Sequence, residues 1–163
     1  MNDFYTEQLV YQRPTTRTYA FKILLIVLTV ISFLAMTLIP VIGTMFFVVM
    51  LLVDFYCYKN MDLEFEYLYV NGELDIDKIM GKQKRKRIFS TSIKELEVIA
   101  PQGHDQLRCF RPTKTVNCSS MIQENKKYEM IISQHGQQVK VIFEPNATIL
   151  EGMKMLAPRK VFF

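Results

Sequence analysis

One uncharged segment constrains the fold of this chain more than any other feature. Residues 23–53 form a run of 31 residues without a charged side chain, most of them Leu, Ile, Val, Phe or Met. A run of 18 or more such residues is typical of a membrane-spanning segment. The sequence therefore predicts an integral membrane protein.

A cleaved secretory signal is the main alternative for an apolar segment near the N-terminus. This segment begins later and runs longer than a signal does, and no small-x-small cleavage site follows it. The first ten residues contain Asp3 and Glu7 and no basic residue, unlike the cationic start of a signal. We therefore expect the segment to stay in the protein.

The length of the segment favours two helices over one. A single helix of this length would extend about 46 Å and would need a tilt of about 50° in a hydrocarbon core about 30 Å thick. Pro40 and Gly43 lie near its middle, where proline interrupts a helix and glycine permits a reversal. We predict a helical hairpin made of residues 21–39 and 43–58.

The charges around the hairpin predict its orientation. Its turn has no charge, whereas basic residues flank both outer ends, namely Arg13, Arg17, Lys22 and Lys59. The positive-inside rule then places the N- and C-termini in the cytoplasm. The expected organisation is a cytoplasmic N-terminal segment (residues 1–19), a transmembrane hairpin (20–59) and a soluble domain (60–163).

Asp54 is the polar exception in the second predicted helix. It lies closer to the hairpin turn than Lys22 does, so helices of equal length would place it below the lipid headgroups. An acid at that depth predicts an intramembrane polar contact, for example a hydrogen bond to Thr29 or Ser32. The alternative is a short second helix with Asp54 at the membrane surface.

After residue 59 the apolar residues recur with a period of two, which is typical of strands. Alternating segments flank Asn71-Gly72, a strong signal for a two-residue β-turn, and a second pair of segments flanks His135-Gly136. The first turn would pair Tyr69 with Leu74 and Tyr67 with Ile76. The second would pair Ile132 with Val139, Met130 with Val141 and Tyr128 with Phe143. Each set of paired residues is apolar and shares one face of a sheet.

The remaining elements suggest a known order. Further strands are predicted near residues 87–90, 93–99 and 113–119, with loops at 101–112 and 120–126. Asn146 is a candidate N-cap for a final amphipathic helix that stops at Pro158. The predicted fold class is a membrane α-helical hairpin plus an all-β, pleckstrin-homology-like (PH-like) barrel of about seven strands with a C-terminal helix.

A basic run is the most conspicuous candidate for a binding surface. Its cationic residues are Lys82, Lys84, Arg85, Lys86 and Arg87. It could contact anionic lipid headgroups, bind a specific ligand, or match the acids of the preceding hairpin, with Lys84 and Lys86 facing Asp77 and Asp75. Nucleic acid is not an expected partner, because the net charge is only +4 and acids are spread throughout.

The sequence offers no recognisable chemistry for catalysis or metal binding. Cys57, Cys109 and Cys118 have no metal-type spacing, and their odd number fits a reducing compartment. His104 and His135 lie in predicted turns without identifiable partner ligands. The motifs of hydrolases, nucleotide-binding enzymes and metalloproteases are absent. We expect no catalytic residue, no cofactor, no metal and no small-molecule substrate.

Several segments resemble one uncharacterised family of small membrane proteins from Gram-positive, mostly clostridial bacteria. These are residues 2–10, the apolar hairpin, residues 66–79 around Asn71-Gly72, and Phe143-Glu144-Pro145-Asn146 before the last helix. The resemblance implies a bacterial plasma-membrane location and a bacterial PH-like domain. It implies no functional residues, and similar modules are thought to mediate assembly.

Two functions from different classes fit these expectations. The first is a membrane-tethered, non-enzymatic interaction or scaffold module that binds a protein partner or itself through exposed sheet edges or the 101–126 loops. The second is an accessory subunit of a transporter or other membrane complex, which would act through the hairpin with Asp54 as its polar contact. Besides that protein, the lipid bilayer is the expected partner.

Overall fold

The computed structural model describes residues 4–134 and 136–163, the side chain of Asn60 excepted. Their secondary structure, in chain order, is β1 (Tyr5–Tyr11), α1 (Thr16–Leu38), α2 (Pro40–Met61), β2 (Leu63–Val70), β3 (Glu73–Met80), β4 (Lys84–Ser92), β5 (Leu96–Pro101), β6 (Lys114–Asn117), β7 (Tyr128–Gln134), β8 (Gln137–Phe143) and α3 (Ala147–Leu156). A 3₁₀ helix, Asp105–Cys109, lies in the predicted 101–112 loop.

The chain forms two compact units. The hairpin unit contains residues Pro14–Leu63 and the short segment Met80–Gln83. The β unit contains the chain up to Arg13, then Glu64–Ile79 and Lys84–Phe163. The two helices of the hairpin unit are thus inserted in sequence between β1 and β2.

The hairpin unit contains two helices that are long and apolar enough to cross a bilayer, with mean hydropathies of 2.5 and 2.0. They are separated by Ile39 alone, so the break is shorter than the predicted one at residues 40–42. Pro40 occupies the first turn of α2, where its missing N–H is not needed. A Cβ at Gly43 would lie 2.5 Å from the Ala35 carbonyl oxygen, so glycine allows the two helices to meet closely there.

The β unit contains two four-stranded sheets in the orders β1-β2-β3-β4 and β5-β7-β8-β6. The described residues therefore form eight strands, where the sequence predicted about seven, and the sheets do not close into a barrel. The additional strand is β1, which pairs antiparallel with β2 from Tyr5↔Val70 to Tyr11↔Glu64. In the second sheet β6 runs parallel to β8, whereas the pairs β5–β7 and β7–β8 are antiparallel.

The first predicted hairpin turn is confirmed by its backbone angles. Asn71 and Gly72 have φ values of 48° and 94°, the left-handed region that this dipeptide tolerates. The strands on either side are neighbours in the sheet.

The predicted register of the second hairpin is also confirmed. Its pairs are Tyr128↔Phe143, Met130↔Val141 and Ile132↔Val139. His135, which was predicted to begin the turn between them, lies outside the described residues.

Both sheets and α3 contribute to one hydrophobic core. Its fully buried side chains include Tyr67, Ile76, Ile99, Ile132 and Phe143. The Asn146 side chain caps α3 by accepting a 2.8 Å hydrogen bond from the Ile149 amide, as the sequence predicted. Ile149, Leu150 and Met153 then pack into the core.

Candidate functional site

The basic run continues from the β3–β4 turn into β4, and its arginines pair with acids of the same sheet. Arg87 contacts Asp75 at 3.1 Å and Asp77 at 3.2 Å, and Arg85 contacts Glu66 at 3.0 Å. The hydrogen bond to Asp77 is the main cause of a raised pKa for Arg87. Charge matching across the strands is therefore present.

The residues that make these ion pairs differ from those predicted. Lys84 and Lys86 were expected to face Asp77 and Asp75, but Arg87 takes both carboxylates. The prediction assumed strict two-residue alternation from a turn at Gly81, and a shift of one position changes which side chains meet. Lys84 and Lys86 are exposed and form no ion pair with described residues.

A groove of about 300 Å³ lies where β4 approaches the β6 end of the second sheet. Its lining residues are Arg87, Ile88, Phe89, Ser90, Lys114, Val116, Gln134 and Val139. Phe89 is buried, and the aliphatic members are half-buried. No acid lines the groove, and since Arg87 is paired with Asp75 and Asp77, Lys114 is the lining cation without an ion pair to described residues.

The strands that border this groove are the last strands of their sheets. β4 ends one sheet order and β6 ends the other. The opposite end of the second sheet is β5, and there the C-terminal segment adds a parallel bridge between Ile99 and Val161. Backbone hydrogen bonds of 2.7 and 2.8 Å join Ile99 to Lys160 and Phe162. Sequence reasoning missed the groove because it depends on how two separate sheets end.

A buried polar cluster also lies in the β unit. The Glu144 carboxylate accepts hydrogen bonds from the Ser120 amide (3.0 Å), the Ser120 hydroxyl (2.7 Å) and the Asn125 side chain (3.0 Å). The Tyr67 hydroxyl donates to the Cys118 carbonyl at 2.6 Å and accepts from the Glu144 amide. Since these partners satisfy one another, the cluster fastens the 118–125 segment to the core rather than exposing reactive groups.

The pKa values in this region are consistent with a structural role. Burial raises the pKa of Tyr67 far above its ordinary value. Burial also raises the pKa of the Cys118 thiol to about 12, and that side chain is fully buried. A thiol of this kind is unreactive in the folded protein.

A second group of acids lies in the first sheet. Glu64 and Glu66 are both buried, and each has one carboxylate oxygen without a hydrogen-bond partner among the described residues. Burial is the main cause of a raised pKa for Glu66, followed by a hydrogen bond with Glu7, while Arg85 opposes the shift. A buried carboxylate oxygen without a hydrogen bond lowers the free energy of unfolding.

Asp54 lies on α2 of the hairpin unit and accepts a hydrogen bond from α1. The Thr29 hydroxyl donates to its Oδ2 at 2.5 Å, while Oδ1 is buried and has no partner among the described residues. The Ser32 hydroxyl donates instead to the Thr29 carbonyl at 2.7 Å. α2 continues to Met61 and is nearly as long as α1, while the depth of Asp54 in a bilayer stays a prediction.

The remaining candidates lie apart from one another. His104 stacks on Phe162 with ring centroids 5.5 Å apart, and its Nδ1 accepts from the Gln106 amide. His135 is outside the described residues. Cys57 is half-buried and Cys109 is exposed. Across the part of the chain that the structure describes, no three His, Cys, Asp or Glu residues are grouped as a metal ion requires.

Comparison with known proteins gives one match. No curated protein and no solved structure matches this chain significantly. One family model, described as a bacterial PH-like domain (DUF6106), matches residues 2–163 and so covers the hairpin as well as the β unit. The chain belongs to this family of bacterial PH-like domains.

Proposed function

We propose that this protein is a membrane-tethered, non-enzymatic interaction module whose PH-like domain faces the cytoplasm and binds a protein partner. PH-like domains are generally non-catalytic, so the family match favours a non-enzymatic role. The proposed location is the bacterial plasma membrane, with the two apolar helices as a multi-pass anchor.

The observation that carries this proposal is the pairing of β1 with β2, the two strands that flank the helices in sequence. β1 precedes α1 and β2 follows α2, yet the two strands pair residue by residue, with Tyr11 opposite Glu64. If the helices cross the bilayer, the chain must enter and leave it on the same side. This supports a hairpin, and the basic residues at its outer ends support the cytoplasmic side.

Cysteine accessibility in bacterial protoplasts tests the orientation. Cys109 is exposed in the β unit, so with Cys57 replaced by serine a membrane-impermeant maleimide should label it only after lysis. The matched control is a Cys109→Ser, Val41→Cys variant, which places a cysteine beside the hairpin turn and should be labelled in intact protoplasts. Labelling of Cys109 before lysis would contradict the proposal.

An anchor exchange separates this function from that of an accessory subunit. The accessory-subunit proposal is favoured by Asp54, whose buried Oδ1 has no partner in the described part of the chain and could accept a hydrogen bond from a helix of another membrane protein. In the exchange, α1 and α2 are replaced by an unrelated two-helix anchor, and partners are crosslinked in membranes. Retained capture of the native partner supports the interaction module, whereas loss of capture together with loss in Asp54→Asn supports the accessory subunit.

A lipid-facing role of the basic run is a second proposal with its own support. The Gly81 amide donates to the Asp62 carbonyl at 2.9 Å, so the turn that contains Lys82 is held at the end of α2. A cationic turn beside a membrane helix would gain energy from anionic lipids, about 1 kcal/mol per lysine.

Nanodiscs of different composition test the lipid contact. Trypsin cleavage within the basic run should be slower in nanodiscs that contain phosphatidylglycerol than in those of phosphatidylcholine alone. Arg159, an exposed residue elsewhere in the β unit, provides the reference cleavage site. Equal protection of the run in both lipids would remove this role.

A further inference from the structure

The groove between β4 and β6 suggests how a partner is bound. A strand at the end of a sheet presents unpaired backbone N–H and C=O groups, which can pair with an added strand. Here β4 and β6 end different sheets and border the same groove. At this groove an extended chain would meet the end strand of one sheet and the wall of a second sheet at once.

The side chains of the groove indicate the chemistry of the added chain. Its interior contains Phe89, Val116 and Val139, which suit small aliphatic side chains, and Lys114 supplies a positive charge that no described acid pairs. Arg87 is already paired with two acids of β3, while exposed lysines precede it on β4. Since no acid lines the groove, an extended segment that alternates acidic and aliphatic residues is complementary in both charge and period.

The volume of the groove sets the length of the segment. About 300 Å³ lies at the small end of ligand-binding cavities, so the groove accepts the side chains of a few residues rather than a helix. β4 itself contains nine residues. The groove therefore fits a short strand that lies along the edge of β4.

We propose that the groove binds an acidic, extended segment of a partner protein, which adds to the first sheet as a strand alongside β4. This inference rests on the proposed function, because it identifies the partner chemistry of the same interaction module. Backbone pairing with β4 would supply general affinity, while Lys114 would select acidic side chains.

Exposed cations on an edge strand have a second role, which the experiment must distinguish from the binding of a partner strand. Natural proteins place lysine on exposed edge strands to prevent unwanted pairing. If that were their sole role at this groove, acidic peptides would bind by charge alone, and the backbone of the peptide would not matter. Blocking backbone N–H groups on the peptide therefore distinguishes strand addition from surface attraction.

The test uses the full-length protein in phosphatidylcholine nanodiscs and a fluorescent peptide probe of sequence Glu-Val-Glu-Val-Glu-Val. Fluorescence polarisation should show saturable binding of this probe. It should show at least about tenfold weaker binding of Lys-Val-Lys-Val-Lys-Val and of the acidic peptide with alternate amide nitrogens methylated. Equal binding of the methylated peptide, or no binding of the acidic probe at millimolar concentration, would overturn the proposal.

Protein variants locate the site. Lys114→Glu reverses an exposed charge at the groove and should weaken binding of the acidic probe about tenfold. The matched control is Arg159→Glu, an exposed charge reversal outside the groove, which should leave the affinity unchanged. Equal weakening by both variants would overturn the assignment of the groove. If orientation and partner capture through the β unit hold while the probe fails, this inference alone is lost.

Discussion

Replacing Glu144 by leucine should destabilise the β unit by about 3 kcal/mol. Glu144 and Ser120 are 8% and 2% exposed, and Ser120 donates both its amide and its hydroxyl to the carboxylate. Each hydrogen bond to a charged acceptor contributes about 1.5–3 kcal/mol, and the removed carboxylate no longer needs desolvation, which offsets part of the loss. Asn125 is exposed and can bond to water instead.

Cys118 provides the assay. In a Cys57→Ser, Cys109→Ser background in detergent micelles, it is the remaining thiol, and it is fully buried in the folded protein. Pulsed maleimide labelling across a urea gradient then reports unfolding of the β unit. With a urea dependence of about 2 kcal/mol per molar, the midpoint should fall by about 1.5 M.

The control for this prediction is Glu97→Leu, which replaces an exposed glutamate on β5. Such a surface change should alter the free energy of unfolding by no more than about 0.5 kcal/mol. Equal midpoints for the two variants would refute the view that the Glu144 cluster fastens the 118–125 segment to the core.

Further predictions concern the acids of the first sheet and the hairpin. Because burial raises the pKa of Glu66, the folded state keeps its proton where the unfolded chain has lost it. Stability should therefore fall as pH rises from the ordinary glutamate value through the folded-state pKa. Circular-dichroism urea titrations at several pH values should show a smaller decline in Glu66→Gln; identical slopes would contradict this. Gly43→Leu should separate the helices, because its Cβ would meet the Ala35 carbonyl oxygen. The rings of Phe33 and Phe47 lie 5.7 Å apart, so cysteines at these two positions report the distance between the helices. The crosslink between them should form several-fold less in Gly43→Leu than in the protein that keeps Gly43, and an unchanged yield would contradict close packing at Gly43. Thr29→Val removes the hydrogen bond from the Thr29 hydroxyl to Asp54 and should weaken the association of the two helices by about 0.6–1.7 kcal/mol. The yield of the same crosslink, measured as a function of temperature, should fall at a lower temperature in this variant.

Local signals explain why much of the fold could be predicted. The apolar segment, the Asn71-Gly72 turn and the Asn146 cap each depend on neighbouring residues, and each is present in the structure. The register of β7 and β8 followed from alternation on both strands. These features require no knowledge of distant contacts.

β1 could not be predicted in the same way. Its outward positions mix Tyr5, Glu7, Leu9 and Tyr11, so it has no clear alternation of apolar and polar residues. Its partner, β2, lies beyond the whole anchor in sequence. A strand of this kind is defined by a distant contact, and a local pattern does not reveal it.

The candidate site was predicted only in part. The basic run and Asp54 were recognised from charge, but the partners of Arg85 and Arg87 depend on a register that a single-residue shift changes. The groove required the ends of two sheets to come together, and the strand that forms one wall, β6, has only four residues. Sequence reasoning therefore found the charges and missed the surface that they border.

The central claim is that the anchor is inserted between two paired strands of one PH-like domain. Tyr11 pairs with Glu64, so residues 14–62 could be replaced by a four-residue Gly/Ser loop that closes β1 and β2 as a hairpin. This variant should be soluble and rich in β-structure, with Cys118 protected from maleimide, whereas a chain that begins at residue 62 and lacks β1 should leave Cys118 reactive. A loop variant that aggregates, or a protected thiol in the chain without β1, would contradict the account.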